Sequence, residues 1–378
     1  MLIVVPRESH PAETRVPIIP EHVKRLVQAG AEISVETGLG APVHVPDSDY
    51  ADAGASIAKT REELLKSGDM VLRIRKPSLD EIGLMKEGAV YASLLDPFNE
   101  KELLDAFVTR GISAISMEMI PRTTKAQKMD VLSSQASLAG YVAVILASER
   151  SNKILPMMMT PAGTIAPSRV FIIGAGVAGL QAIATAKRLG ARVEAFDTRP
   201  VVEEQVNSLG AKFIKIDLGE TGQTKDGYAK ALTDEQLQKQ REGMAKVCSH
   251  SDVVITTAQL FGRKAPLIVT ADMISGMKPG SIIVDLAVET GGNVEGSRVN
   301  EEVDVDGVTI IGLANLPGRV NVHSSQMFSA NMYNLIDEFW DKEEKTVNLD
   351  MEDEIVKGCL ITHGKAIVNE MISNFYNK

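Results

Sequence analysis

The sequence predicts an α/β protein of two Rossmann-like, doubly wound parallel-sheet domains with a cleft between them, bridged by two long helices. Short apolar runs alternate with helical patterns along almost the whole chain, the arrangement that parallel sheets with crossover helices require. At 378 residues the chain exceeds one ordinary core and suggests two domains. A glycine-rich turn, Gly174, Ala175, Gly176, Val177, Ala178 and Gly179, stands between a buried-strand pattern at 169–173 and a helical pattern at 177–189.

In chain order, strands are expected at 2–6, 32–36, 70–74, 90–94 and 112–116, with two-faced helices between them such as 20–29 and 100–110. A helical pattern over 131–149 leaves this set, and Pro156, Pro161 and Pro167 precede a second one. Its strands are expected at 170–173, 192–196, 212–216, 252–256, 281–286 and 308–311, enough for a full nucleotide-binding domain. A helix at 326–339 and short strands near 347–349 and 355–361 form a tail too small to stand alone, so it is expected to return to the first domain. The domains are then 1–130 with 320–378, and 131–319. Met157, Met158 and Met159 are expected to pack between domains, since methionine fills irregular gaps.

Composition narrows the function. The chain is 44% hydrophobic and 24% charged, with a formal net charge of -10 and no stripe of Lys and Arg for nucleic acid. The N-terminus opens directly on a strand, without a basic region followed by a long apolar one, which points to a cytoplasmic protein. The most apolar stretches, 141–147 and 154–160, fall short of the roughly 20 residues of a membrane span, so no direct span is expected. Cys248 and Cys359 are isolated, and the six histidines show no HxxxH or HxH spacing, so no metal site is expected.

The glycine-rich turn has a physical reading. Gly174 permits the tight turn, Gly176 lets a pyrophosphate approach the backbone, and Gly179 lets helix and strand pack closely. The pyrophosphate would then meet the free N–H groups of a helix N-terminus. Asp197 ends the next strand where an acid should bond the adenosine ribose hydroxyls, which favours NAD(H) over the 2′-phosphorylated form; Arg199, two residues on, tempers that preference. Residues 217–233, with Gly219, Gly222, Gly227 and Tyr228, form a long connection that reads as a lid or as an ordinary surface loop. Thr256, Thr257, Ala258 and Gln259 close a strand at its ligand-binding end, and Glu289 and Asn293 either reach the cofactor or serve a turn.

Two further stretches carry a family likeness. The run Pro121, Arg122, Thr123, Thr124, Lys125, Ala126, Gln127, Lys128, Met129, Asp130, then Leu132, Ser133, Ser134, Gln135 and Ala139, Gly140, Tyr141, resembles the signature loop of the NAD(H)-binding component of proton-translocating NAD(P) transhydrogenase. The likeness continues through Gly174 to Leu189 with Asp197, through Asp226 to Lys230, and through Asp285 to Asn293. The resemblance implies a homodimeric, peripheral component on the inner face of a membrane. It would take hydride from NADH and pass it to NADP+ on a separate NADP(H)-binding subunit, coupled to proton movement through a membrane-spanning one. By position, Arg122, Asp130 and Ser133 would hold the nicotinamide end, with Thr123, Thr124, Lys128 and Met129 beside them, and Gln127 would sit where the two nucleotides meet. Ala175, Gly176 and Val177 would contact the pyrophosphate, Asp197, Thr198 and Arg199 the ribose, Gly227 and Tyr228 a closing loop, and Gln240 and Gln259 also match. Read without the resemblance, Asp130 could simply cap the helix that follows.

Two rivals share parts of this pattern. A free-standing enzyme of the alanine dehydrogenase type resembles the chain in Pro6, Glu8, Arg15, Val16 and Pro20, but the positions of its acid/base Lys and His are here Arg75 and Asp96. A guanidinium stays protonated and cannot relay a proton at neutral pH. Arg15 matches the position that grips a substrate carboxylate there, or serves a structural ion pair. An NAD-binding module without chemistry would keep the glycine turn and Asp197 but has no need of a polar cluster at the nicotinamide end.

Overall fold

In the computed structural model, which describes residues 1–219 and 233–377, the chain forms two compact units: Met1–Gln135 with Gly318–Lys378, and Ala136–Pro317. The first unit contains six parallel strands, β1 (Leu2–Val5), β2 (Glu32–Glu36), β3 (Ser56–Ala58), β4 (Met70–Leu72), β5 (Val90–Ser93) and β6 (Ser113–Ser116). They lie in the order β6-β5-β4-β1-β2-β3, and Leu360–His363 followed by Ala366–Ile367 extends the β6 edge antiparallel. Ile3, Val4, Val5, Met70, Val71 and Leu72 are wholly buried, which explains why these strands read as continuous apolar runs rather than alternating ones. Strand order reverses at β1, so the crevice of this doubly wound sheet lies beyond the carboxyl ends of β1 and β4.

The second unit opens with a hairpin, β7 (Met158–Thr160) and β8 (Gly163–Ile165), and continues with β9 (Arg169–Ile173), β10 (Arg192–Phe196), β11 (Lys212–Phe213), β12 (Val253–Thr256), β13 (Ile282–Asp285), β14 (Glu301–Val305) and β15 (Val308–Gly312). Its sheet runs β11-β10-β9-β12-β13-β15-β14, parallel except for β14. Phe171, Ile173, Val254, Ile283 and Ile310 belong to the core on one of its faces.

Several expectations are corrected. Residues 355–361 are not one strand: Glu354–Cys359 is helical, started by the Asp353 carboxylate accepting the Ile355 N–H at 2.7 Å, and the strand begins only at Leu360. The edge strands β3 and β14 escaped notice because Ser56–Ala58 is short and Glu301–Val305 is polar. Met157, Met158 and Met159 do not pack inside; they are exposed on the hairpin with Ile165, Met159 by 73%. Helix α1 (Val131–Arg150) is 20 residues long and apolar enough to cross a bilayer, against the expectation that no stretch approaches that length. Val142, Ala143, Val144, Leu146 and Ala147 along it are nevertheless buried in the folded chain, as in the core helix of a globular domain. α1 begins in the first unit and continues into the second. α2 (Val177–Arg188) belongs to the second unit, and α3 (Asn321–Phe339) lies within the first, the chain having crossed back at 317–318.

Candidate functional site

In the second unit the glycine turn joins β9 to α2. Gly174 has φ +99°, a left-handed conformation that a side chain would strain, and its N–H donates to the Phe196 carbonyl at 2.8 Å. A Cβ on Gly179 would lie 1.9 Å from the Gly174 carbonyl oxygen, so only glycine lets the helix meet the turn. A Cβ on Gly176 would meet nothing within 4 Å. Gly176 is also the N-cap residue of α2 and supplies no side-chain cap, which leaves N–H donors of the first turn for an incoming anion. Open space and free donors at the same point fit a dinucleotide pyrophosphate. Ala175 is buried and Val177 exposed.

Asp197, just past β10, is tied to this turn. Its Oδ2 accepts the Ala175 N–H at 2.7 Å, and its Oδ1 accepts the Arg199 N–H at 2.8 Å. The Arg199 guanidinium grips the same carboxylate through Nε at 2.9 Å and Nη2 at 2.7 Å. The acid expected at the ribose therefore carries its own counter-charge, with half-buried Thr198 between the two. Opposite, the Thr257 hydroxyl donates to the Gly174 carbonyl at 3.1 Å. Gln259 is exposed at the end of β12, whereas Gln240 is buried within the helix Asp234–Cys248. Gly227 and Tyr228 lie outside the described residues.

Asp285 and Asn293, from the last stretch of family likeness, serve the scaffold. The buried Asp285 carboxylate accepts N–H bonds from Ala287 at 3.0 Å and from Asn293 at 3.0 Å. Asn293 accepts the Ala258 N–H at 3.0 Å and donates to the Ala258 and Pro266 carbonyls, both at 2.8 Å. Ala258 adjoins Gln259, so this pair fixes the backbone that presents Gln259. Glu289 accepts the Asn315 N–H at 3.0 Å.

A second constellation lies in the first unit, where Ala126–Met129 forms one 3₁₀ turn. Ala126 and Met129 are buried and anchor it, while Arg122, Thr124, Gln127 and Lys128 are exposed and Thr123 is half-buried. Asp130 caps α1: its carboxylate accepts the Ser133 N–H at 2.9 Å and the Ser133 hydroxyl at 2.6 Å. The simple capping reading of Asp130 is thus correct, and it joins two of the residues named for the nicotinamide end.

Behind this segment stand residues that the sequence did not single out. Asn331 and Asn334 on α3 both donate to the Lys128 carbonyl, at 3.0 and 3.1 Å. Glu338, one turn further, pairs with Lys125 at 2.9 Å and Lys128 at 2.8 Å. The spacing 331, 334, 338 puts all three on one helix face, a signal that could have been found. Ser134 donates to Asn331 at 2.7 Å, and Gln135 accepts from Arg15 at 2.9 Å and from Ser324 at 2.6 Å.

Arg15 lines a recess of about 340 Å³ with Arg7, Glu8, Glu13 and Arg61. It is ion-paired, its Nε and Nη2 each 2.7 Å from Glu13, which also accepts from Arg75 at 2.8 Å. Burial alone would raise the Glu13 carboxyl, but hydrogen bonds and charge from Arg15 and then Arg75 outweigh it and hold the group at about 2. Asp96 has φ +54° and accepts from Asn99 at 2.8 Å.

The chain is similar to known proteins in sequence and fold. Residues 4–139 match the alanine dehydrogenase/PNT N-terminal domain and residues 143–370 its C-terminal domain. The chain is 44% identical to the first portion of NAD(P) transhydrogenase subunit alpha of Rhodospirillum rubrum over 380 residues, 99% of each chain. A solved transhydrogenase from Sinorhizobium meliloti superposes with a TM-score of 0.87 at 43% identity, covering 97% of this chain and 100% of that one. Alanine dehydrogenase of Methanococcus maripaludis is more distant, 27% identical over 85% of this chain and 82% of its own. With both domain profiles matched and a full-length relative at this identity, the chain belongs to the alanine dehydrogenase/PNT family.

Proposed function

We propose that the chain is the NAD(H)-binding component of a proton-translocating NAD(P) transhydrogenase. It works as a homodimer, held to the inner face of a membrane by a membrane-spanning subunit, and passes hydride to NADP+ on a separate NADP(H)-binding subunit. The observation that carries this reading is the Arg122–Ser133 segment, a turn that is fixed from behind and presents amide, guanidinium and hydroxyl groups. Bound NADH supplies the reaction with a hydrogen and its electron pair, and the products are NAD+ and NADPH, so no proton has to pass through a side chain.

The residues of the chain bind and orient. The N–H groups around Gly176 and the start of α2 receive the pyrophosphate, and Asp197 with Arg199 receives the ribose. Arg122, Asp130 and Ser133 orient the nicotinamide carboxamide, and Gln127 faces the second nucleotide. Holding two rings in register supplies the catalysis. Amino-acid oxidation fits poorly, because Arg75 at the expected base position is a permanent cation paired with Glu13.

The test mixes the purified chain with an NADP(H)-binding subunit and follows reduction of thio-NADP+ by NADH. Transfer is expected, and alanine-dependent reduction of NAD+ in its place would overturn the reading. Within the same assay Asp197→Ala should weaken NADH binding by tenfold or more, on the order of 1.4 kcal/mol. Gln127→Asn should slow transfer while leaving NADH affinity nearly intact.

A further inference from the structure

We infer that Asn331 and Asn334, on one face of α3, are positioning residues for hydride transfer: they clamp the Lys128 carbonyl and thereby set where Gln127 and Asp130 stand. The inference rests on the transhydrogenase reading given above. A carbonyl accepts along two lone-pair directions, and here both are taken by side-chain amides from a single helix, at 3.0 and 3.1 Å. Two donors from residues three apart fix the oxygen in direction as well as distance, which one bond would not do. Lys128 lies directly between Gln127 and Met129 in the 3₁₀ turn, so rotating its peptide group moves the residues on either side.

The clamp is itself held. Asn331 is buried, and its Oδ1 accepts the Ser134 hydroxyl at 2.7 Å, which orients the amide with its N–H groups toward Lys128. The Ser134 N–H donates to the Asp130 carbonyl at 3.2 Å, so Ser134 ties the clamp to the residue whose carboxylate caps α1 at Ser133. On the outer side Glu338 holds the Lys125 and Lys128 ammonium groups at 2.9 and 2.8 Å, which ties the turn to α3 at two more points. Burial of Ala126 and Met129 anchors the turn, but apolar contact is non-directional and would tolerate a tilt. The amides supply the direction.

The test uses the full chain with Asn334→Ala, Asn331→Ala, the double variant, and Asn331→Asp, which keeps size and the acceptor but loses the donor. Three measurements are made on each: NADH affinity by fluorescence, single-turnover hydride transfer to thio-NADP+ on the NADP(H)-binding subunit, and the rate of tryptic cleavage after Lys125 and Lys128. The double variant should transfer hydride about 10- to 100-fold more slowly, the scale of a displacement near 1 Å at a reacting centre. Its NADH affinity should change less than about threefold, and cleavage after Lys128 should quicken severalfold as the local opening equilibrium shifts. Combined with Gln127→Asn, the loss should be less than additive, because both changes act through one side chain.

Unchanged transfer and unchanged proteolysis in the double variant would overturn the clamp while leaving the proposed function standing. So would equal losses in affinity and rate, the mark of general loosening. If the unmodified chain transfers no hydride at all, the function fails, and the clamp is then decided by tryptic cleavage alone. Should the double variant misfold, Asn334→Ala on the half-buried side decides the same three readouts.

Discussion

Glu13 shows how one buried side chain can organise the charges around it. Its side chain is 0% exposed and receives two bonds from the Arg15 guanidinium and one from Arg75. Removing one member of a buried ionic cluster leaves the others uncompensated, so Glu13→Ala should destabilise the chain by about 3–5 kcal/mol in urea unfolding. The pH dependence has a definite sign. The folded carboxyl sits at about 2, below its ordinary 4.5. Its contribution is therefore complete above about pH 4.5 and is lost as the pH falls toward 2. Glu13→Gln should flatten that acid limb of the melting curve, and parallel limbs for parent and variant would contradict the assignment.

At the scale of elements, one helix meeting one turn decides whether the nucleotide site can form. Gly140 lies on α1 where a Cβ would come within 2.1 Å of the Ala178 carbonyl oxygen. Gly140→Ala should therefore push α1 away from the start of α2, at a cost of about 1–3 kcal/mol of stability, and weaken NADH binding. Isothermal titration that finds full affinity at unchanged stability would refute this. Such a contact also marks how far the sequence could be read. β9, the glycines, α2 and Asp197 were legible because apolar run, turn chemistry and acid follow one another locally. Gly140 was legible only as a member of a family pattern, because its reason is a carbonyl nearly forty residues away. Arg199 was noticed, yet its grip on Asp197 was not, since nothing in the spacing says which way a guanidinium folds. Asn331, Asn334 and Glu338 were missed because a helix with several buried polar residues looks merely less amphipathic until the peptide they bond is known. The methionines at 157–159 were misplaced by taking the usual role of the residue for its role here.

At the scale of the whole molecule, the hairpin groups several large apolar side chains in water. Met157, Met158, Met159 and Ile165 are exposed on a two-stranded ribbon, an arrangement of marginal stability in isolation. If the chain pairs through this hairpin, Met159→Asp should weaken dimerisation about tenfold or more. Sedimentation velocity over a dilution series checks this, and an unshifted monomer–dimer midpoint would count against the hairpin as the contact. The formal charge of -10 gives the molecule a field that slows any anionic nucleotide on approach, phosphorylated at the 2′ position or not. The Asp197–Arg199 pair adds almost nothing to that field, because its charges cancel beyond a few ångströms. The choice between the two nucleotides is then made after arrival, in how long each one stays. Screening by salt should therefore speed association of both, and more so for the 2′-phosphorylated one with its extra charge, while selectivity should appear in dissociation rates.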